Sequence, residues 1–112
     1  IIDFVRLLVD NPVKNRVTEV KLFYPNPYPK KTQLQKRWHG HSIFYQLMQL
    51  NCSFELRSNW NIYLSEFAAA ASSYRNFLEK LDSFIPEKTI TPFERKYFDS
   101  GQKLYRLELK PI

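Results

Sequence analysis

The sequence has very little of three things: cysteine, glycine and long apolar segments. Cys52 is the only cysteine, which excludes an intrachain disulfide, a four-cysteine zinc site and a Cys-x-x-Cys redox pair. Gly40 and Gly101 are the only glycines, so the chain has no glycine-rich turn of the kind that cradles a nucleotide cofactor. No run approaches the roughly 18 consecutive apolar residues that a membrane span needs. We therefore expect a protein of the reducing cytoplasm with no membrane partner.

What the sequence does contain predicts one folded domain. Apolar residues make up 44% of the 112 residues and aromatic residues 16%, which is enough for a core and argues against intrinsic disorder. The chain opens on Ile1 rather than Met, and we expect it to be processed, truncated or part of a longer protein.

The positive charge is concentrated in one stretch. Residues 12–37 hold seven basic side chains against Glu19 alone, which gives +6, while the rest of the chain, with 10 basic and 10 acidic side chains, is neutral. Such clustering predicts a face that meets a polyanion, although a solvated surface has the same composition. Tyr28 and Trp38 lie beside the cluster and could stack on unpaired bases, which favours RNA.

Hydrophobic periodicity predicts alternating helices and strands. The pattern indicates a short helix over 1–8, a strand over Val17–Tyr24 buried on both faces, a helix after Ser42, a strand over Cys52–Ser58, a helix over Asn61–Leu81, and an antiparallel pair formed by Phe93–Phe98 and Leu104–Leu109. This order is typical of an open, mostly parallel α/β sheet, whose ligands bind at the carboxyl edge. The helices are too few to cover both faces, so we expect a missing amino-terminal half or a partner chain.

Two segments resemble the tRNA (guanine-N7)-methyltransferases. Leu22–Lys31 reads Leu-Phe-Tyr-Pro-Asn-Pro-Tyr-Pro-Lys-Lys, which is similar to that family's Leu-Phe-Phe-Pro-Asp-Pro-Trp-Pro-Lys-Lys. Thr91–Arg95 resembles their Thr-Lys-Phe-Glu-Arg, and Gly101 falls where they have a glycine before the last strand. The order and spacing agree over nearly the whole chain.

The resemblance implies the carboxyl-terminal half of a Rossmann-like class I methyltransferase fold, with parallel strands and a terminal antiparallel hairpin. Residues 1–112 would then be one half of a single methyltransferase domain. The implied cofactor is S-adenosylmethionine, whose main binding motif belongs to the other half, and the implied partner is tRNA or another structured RNA. A homodimer is compatible with the sequence. We predict no metal site, because His39 and His41 are too few ligands without a nearby carboxylate.

The family's functional positions carry over residue by residue. The aspartate assigned to catalysis and cofactor contact falls on Asn26. The positions that contact substrate or RNA fall on Lys30, Thr32, Gln33, Leu34, Gln35, Lys36, Arg37, Asn59, Thr91, Pro92, Phe93 and Glu94. If this is right, Asn26 and Asn59 should face each other across the carboxyl edge of the sheet, and a position on opposite edges would make the carry-over wrong.

Both family aspartates are asparagine in this chain, at Asn26 and Asn59. An amide keeps one acceptor oxygen but loses the negative charge, which weakens attraction to a sulfonium or to a guanine donor edge. Methyl transfer to N7 needs alignment more than a base. Three alternatives remain: methylation of tRNA guanine, methylation of another acceptor, and a catalytically impaired RNA-binding relative. A surface ion pair with Arg95 or Lys96 is the alternative for Glu94, and Cys52 is expected to be a packing residue.

Overall fold

The computed structural model describes residues 18–26 and 28–112. The helix predicted over 1–8 and Val17, the predicted start of the first strand, lie outside these residues. The described elements are β1 (Glu19–Phe23), two 3-10 segments (Lys31–Lys36 and Trp38–Gly40), α1 (Phe44–Met48), β2 (Ser53–Ser58), α2 (Asn61–Ser72), β3 (Phe77–Phe84), α3 (Pro92–Asp99) and β4 (Leu104–Pro111).

The four strands form one mixed sheet in the order β1-β2-β4-β3. β1 pairs parallel with β2, whereas β4 pairs antiparallel with both β2 and β3, so that Leu107 lies between Leu56 and Leu81. β1, β2 and β3 therefore run in one direction and β4 runs against them. The α/β class and the parallel run of the first strands are confirmed.

The predicted hairpin of Phe93–Phe98 with Leu104–Leu109 is wrong. Phe93–Phe98 lies inside α3, and the antiparallel neighbours of β4 are β3 and β2. Two helix-start signals decide this: Thr91 is the N-cap, with Oγ1 accepting a hydrogen bond from the Glu94 amide at 3.0 Å, and Pro92 occupies the first turn.

The helix predicted over Asn61–Leu81 is right only as far as Ser72, and Phe77–Phe84 is a strand. Leu78 and Leu81 continue the helical spacing, but alternation fits better: Phe77 and Leu81 pack on the core while Leu78 is 65% exposed. Pairing with β4 along the full length of β3 supplies the backbone hydrogen bonds that a longer helix would have made internally.

The core lies on one face of the sheet, beneath α1 and α2. Phe54 and Leu56 alternate with partly exposed residues along β2, as the sequence predicts, and Cys52 is a buried packing residue. The expectation that β1 is buried on both faces is wrong. β1 lies at the edge of the described sheet and has no fully buried residue, although Val20 and Leu22 pack against the core.

Charged side chains occupy the second face of the sheet. Glu55 lies 3.5 Å from Lys21 Nζ and 3.1 Å from Arg57 Nε, and Arg106 pairs with Glu108 at 3.3 Å. A sheet with one apolar and one polar face can expose the polar face to water. Within residues 18–26 and 28–112, no helix is long and apolar enough to cross a membrane.

Candidate nucleic-acid interface

The predicted site residues gather at the carboxyl edge of the sheet. Asn26 lies in the loop after β1 and Asn59 directly follows β2, and these two strands are parallel neighbours. The segment after β3 leads to α3, which carries Glu94. Asn26 and Asn59 lie at the same edge, because parallel strands end on the same side, so the outcome that would have made the carry-over wrong does not occur. That their side chains face each other stays a prediction, since Asn26 bonds the Tyr28 amide and Asn59 bonds Gln102.

Two tyrosines hold the loop after β1 in an unusual backbone conformation. Tyr24 has a φ of 52° and Tyr28 a φ of 44°, and each precedes a proline. For bulky residues this left-handed region costs about 1–3 kcal/mol each and persists only where the surroundings enforce it. The enforcing contacts are Tyr24 N to Arg57 O at 2.8 Å and Tyr28 N to Asn26 Oδ1 at 3.1 Å. The loop is therefore tied to β2 and folded on itself.

Arg37 anchors the same loop to α2. Its Nε donates to Tyr28 O at 3.2 Å, its Nη1 donates to the Glu66 carboxylate at 2.5 Å, and its guanidinium lies 4.9 Å from the Trp60 ring centre. Only 4% of Arg37 is exposed. Arg37 therefore differs from the exposed lysines of the stretch: it is buried, and its contacts hold the loop against α2.

His39 shares Glu66 with Arg37, with Nε2 at 3.3 Å from Oε1. Burial lowers the pKa of His39, the hydrogen bond and charge of Glu66 oppose this, and Arg37 adds to the lowering. His39 is thus neutral at pH 7, and its buried Nδ1 has no hydrogen-bond partner among the described residues. His39 and Glu66 together supply only two candidate metal ligands. No group of three or more His, Cys, Asp or Glu side chains that could hold a metal ion occurs in the described part of the chain.

Between residues 30 and 36, all side chains of the basic stretch except Gln33 are exposed. Gln33 is half-buried and accepts a hydrogen bond from the Lys30 amide through Oε1 at 3.3 Å, which starts the 3-10 segment. The exposed side chains around it are those of Lys30, Lys31, Thr32, Leu34, Gln35 and Lys36. Lys36 Nζ lies 5.7 Å from the Tyr28 ring centre, close enough for a cation–π contact.

A cavity of about 200 Å³ separates the loop from α2. It is lined by Pro25, Asn26, Tyr28, Lys36, Trp38, His41 and Tyr63. The Tyr63 hydroxyl accepts a hydrogen bond from the Trp38 amide at 3.2 Å, which fixes one wall. Aromatic surfaces, one amide and one ammonium group thus surround a small space next to the predicted catalytic position.

Glu94 is fully buried on α3 and contacts the loop through Tyr24. Its carboxylate accepts from Arg57 Nη1 at 2.9 and 3.2 Å, from the Tyr24 hydroxyl at 2.5 Å and from the Ile90 amide at 3.2 Å. The alternative of a surface ion pair with Arg95 or Lys96 is therefore wrong.

The electrostatics of this group follow from its hydrogen bonds. Burial alone would raise the pKa of Glu94, but the bonds from Tyr24 and Arg57 outweigh it and hold the pKa below its usual value. Burial and the bond to Glu94 raise the pKa of Tyr24. Glu94 is thus an ionised carboxylate with its oxygens occupied by protein groups, and Thr91 is occupied by capping α3.

The sequence analysis missed four residues that contact this edge or its loop, Tyr24, Arg57, Glu66 and Gln102. A lone charged residue in a strand or on a helix gives no signal of the partner it will meet. Asn59 Nδ2 donates to Gln102 Oε1 at 2.8 Å, so Gln102 also belongs to the edge. Pro92 and Phe93 are exposed on α3 beside it.

No protein-family model matches this chain, and a search of curated proteins gives no match. The family resemblance therefore stays a prediction that depends on the two sequence segments.

Proposed function

We propose that this chain is the carboxyl-terminal half of a Rossmann-like methyltransferase that binds tRNA and presents a guanine for methylation at N7. One observation carries the proposal: the two segments that resemble the family, 70 residues apart, meet through the hydrogen bond from the Tyr24 hydroxyl to Glu94. Segments that carry one function are expected to converge on one site.

The sheet topology supports the fold assignment. β4 inserts antiparallel between β2 and β3, and the first three strands are parallel. This arrangement is compatible with the parallel strands and the terminal antiparallel pair that the resemblance implies, although the pair is β3 with β4. A simple doubly wound sheet would have only parallel strands.

Exposed lysines support RNA as the partner. Lys31 and Lys36 are exposed on the 3-10 segment, the exposed Lys30 directly precedes it, and Lys36 lies over Tyr28 at the rim of the aromatic cavity. Phosphate contacts give affinity without sequence preference, and aromatic surfaces receive unpaired bases. Guanine N7 already offers a lone pair at neutral pH, so the contribution of these residues would be alignment.

The described residues do not form a S-adenosylmethionine site by themselves. The Asn26 carboxamide oxygen is occupied by the Tyr28 amide, and the adjoining cavity is walled by Tyr28, Trp38 and Tyr63. The chain has no glycine-rich turn. We assign cofactor binding to an amino-terminal half or a partner chain, and we derive no catalytic step through the cofactor.

The buried state of Glu94 favours a second candidate, a catalytically impaired RNA-binding relative. Glu94 falls on a substrate position of the family, yet none of its surface is exposed and its oxygens bind Arg57 and Tyr24. A protein with a buried, occupied Glu94 and with asparagine at positions 26 and 59 would bind RNA through its lysines but would not transfer a methyl group.

One experiment separates these candidates. The native protein, isolated from its source with any partner chain, is incubated with tRNA and S-adenosylmethionine carrying a tritiated methyl group, and N7-methylguanine is detected by borohydride reduction and aniline cleavage. Cleavage at a guanine supports the enzyme, and label in another base or atom indicates a different acceptor. Binding of tRNA without label, both in the native protein and in Asn26→Asp/Asn59→Asp, supports the impaired relative.

A charge-matched control tests the RNA surface in the same assay. Lys30→Glu/Lys36→Glu should weaken tRNA binding steeply, whereas Lys80→Glu/Lys110→Glu, which reverses two exposed lysines on β3 and β4, should have little effect. Equal effects of the two variants, or no tRNA binding at all, would remove the basis of both candidates.

A further inference from the structure

An open groove adjoins the cavity on the other side of Lys36 and His41. It has a volume of about 680 Å³, and the residues that matter for its chemistry are Gln35, Lys36, His41, Ser42, Tyr45 and Tyr74. Lys36 and His41 line both the groove and the cavity. The groove therefore extends the lysine-bearing surface toward α1 and the end of α2.

Two exposed tyrosines form the wall of this groove. Tyr45 is 57% exposed and Tyr74 is 47% exposed, with ring centres 5.9 Å apart at 61°. Tyr74 also packs edge-on against Phe44, which is 2% exposed, at 5.7 Å. Isolated exposed aromatic residues are common, but this pair is held on a buried support. The rings thus present fixed flat surfaces to water at low ordering cost.

The charge of the groove selects its ligand. None of the described residues that line it is acidic, and Lys36 contributes an exposed ammonium group. The neighbouring carboxylate of Glu66 is engaged by Arg37 and His39. An anionic ligand with flat apolar rings fits these properties, whereas an acidic peptide would leave the tyrosine rings unused.

We infer that this groove binds unpaired RNA nucleotides, with Tyr45 and Tyr74 stacking on bases while Lys36 contacts a phosphate. This inference rests on the proposed RNA binding and adds a contact outside the segments that resemble the family. Stacking on a tyrosine tolerates any base, because every base has a flat π surface. The groove therefore holds a single-stranded part of the RNA without reading its sequence.

The test measures the affinity of the full protein for a fluorescein-labelled single-stranded RNA of about 12 nucleotides and for a tRNA transcript. Tyr45→Ala and Tyr74→Ala should each weaken single-strand binding by about 5- to 150-fold, the effect of one lost stacking contact. Tyr45→Phe and Tyr74→Phe retain the ring and should stay within about twofold of the native protein. Leu78→Ala, at a 65% exposed apolar residue on the opposite edge, is the matched control.

Salt dependence separates stacking from charge. Lys36→Ala should lower the slope of log affinity against log salt by about 0.7, the value for one single-strand phosphate contact, whereas the tyrosine variants should leave the slope unchanged. Tyr45→Leu keeps an apolar side chain without a π system, and its far-UV circular dichroism shows whether any loss of binding reflects misfolding. It should fold and bind as weakly as Tyr45→Ala.

Each outcome decides the inference. Unchanged affinity of the alanine variants, with tRNA still bound through the lysines, overturns the stacking groove and leaves the proposed function standing. Equal loss in the phenylalanine variants also overturns stacking, since the ring is present. If the native protein binds neither RNA, the proposed function fails first and this inference with it, and the groove becomes a candidate for protein contacts.

Discussion

Replacing Glu94 by glutamine tests whether the buried carboxylate holds the carboxyl edge together. The change keeps the shape and one acceptor oxygen but removes the charge that faces Arg57, whose side chain is 14% exposed, and Tyr24. Removing one partner of a buried pair costs about 3–5 kcal/mol when the other charge stays uncompensated. Because Arg57 retains Glu55 at 3.1 Å, we expect a loss of about 2–3 kcal/mol in the free energy of unfolding.

Tyr24→Phe measures the second arm of this network. It removes the hydroxyl that donates to Glu94, a bond to a charged group, and should cost about 1.5–3 kcal/mol. The double variant Tyr24→Phe/Glu94→Gln should cost less than the sum of the single variants, since both remove the same hydrogen bond.

Urea unfolding near pH 7, followed by tryptophan fluorescence and far-UV circular dichroism, gives these free energies. Glu87→Gln changes an exposed carboxylate and should stay within about 0.5 kcal/mol of the native protein. The lowered pKa of Glu94 adds a pH test: its stabilising effect is present above about 4.5 and is lost as the pH falls further. A cost of Glu94→Gln no larger than that of Glu87→Gln, or strictly additive single variants, would refute the network.

Three further predictions concern stability and reactivity. Gly40→Ala should destabilise the protein by about 1–3 kcal/mol, because the added Cβ would overlap the Leu34 carbonyl oxygen, and urea unfolding with Ser42→Ala as control measures it. The lowered pKa of His39 means that the unfolded chain binds a proton more readily, so the free energy of unfolding should fall as the pH drops below about 6.5, and His39→Gln should flatten this dependence. Burial raises the pKa of Cys52 to about 11, so a thiol reagent should react with it only after unfolding, and rapid labelling of the native protein would contradict its buried position.

The spacing of apolar residues predicted those helices and strands whose pattern is complete within the element itself. The alternation of Cys52, Phe54 and Leu56 identified β2, and the apolar residues after Ser42 identified α1. The error at Phe77–Phe84 has a physical reason: Phe77 and Leu81, the two residues that pack on the core, are four residues apart, which suits both a period of 3.6 and a period of 2. Pairing with β4 decided between them, and that pairing is tertiary information.

The second error ignored a signal that the sequence carries. Thr91, Pro92 and Glu94 form the N-cap, the first-turn proline and the acidic third position of a helix start. The helical spacing is also visible in Phe93 and Tyr97, which are four residues apart and stack on each other at 6.5 Å in α3. The partner of Glu94 could not be predicted in the same way, because Arg57 reaches it only through the order of the strands.

The two asparagines of the candidate site are held in different ways, which bears on their relation to the family's aspartates. Asn26 uses its carboxamide oxygen to accept from the Tyr28 amide, and an aspartate would supply that acceptor with a stronger, charge-assisted bond. The fold therefore does not require asparagine at position 26. Asn59 instead donates from Nδ2 to Gln102, and an aspartate there has no donor, so Gln102 would have to turn its amide group around. A change at position 59 thus alters geometry as well as charge, whereas Asn26→Asp alone alters mainly the charge beside Lys36 and is the cleaner test of whether that charge limits the proposed methyl transfer.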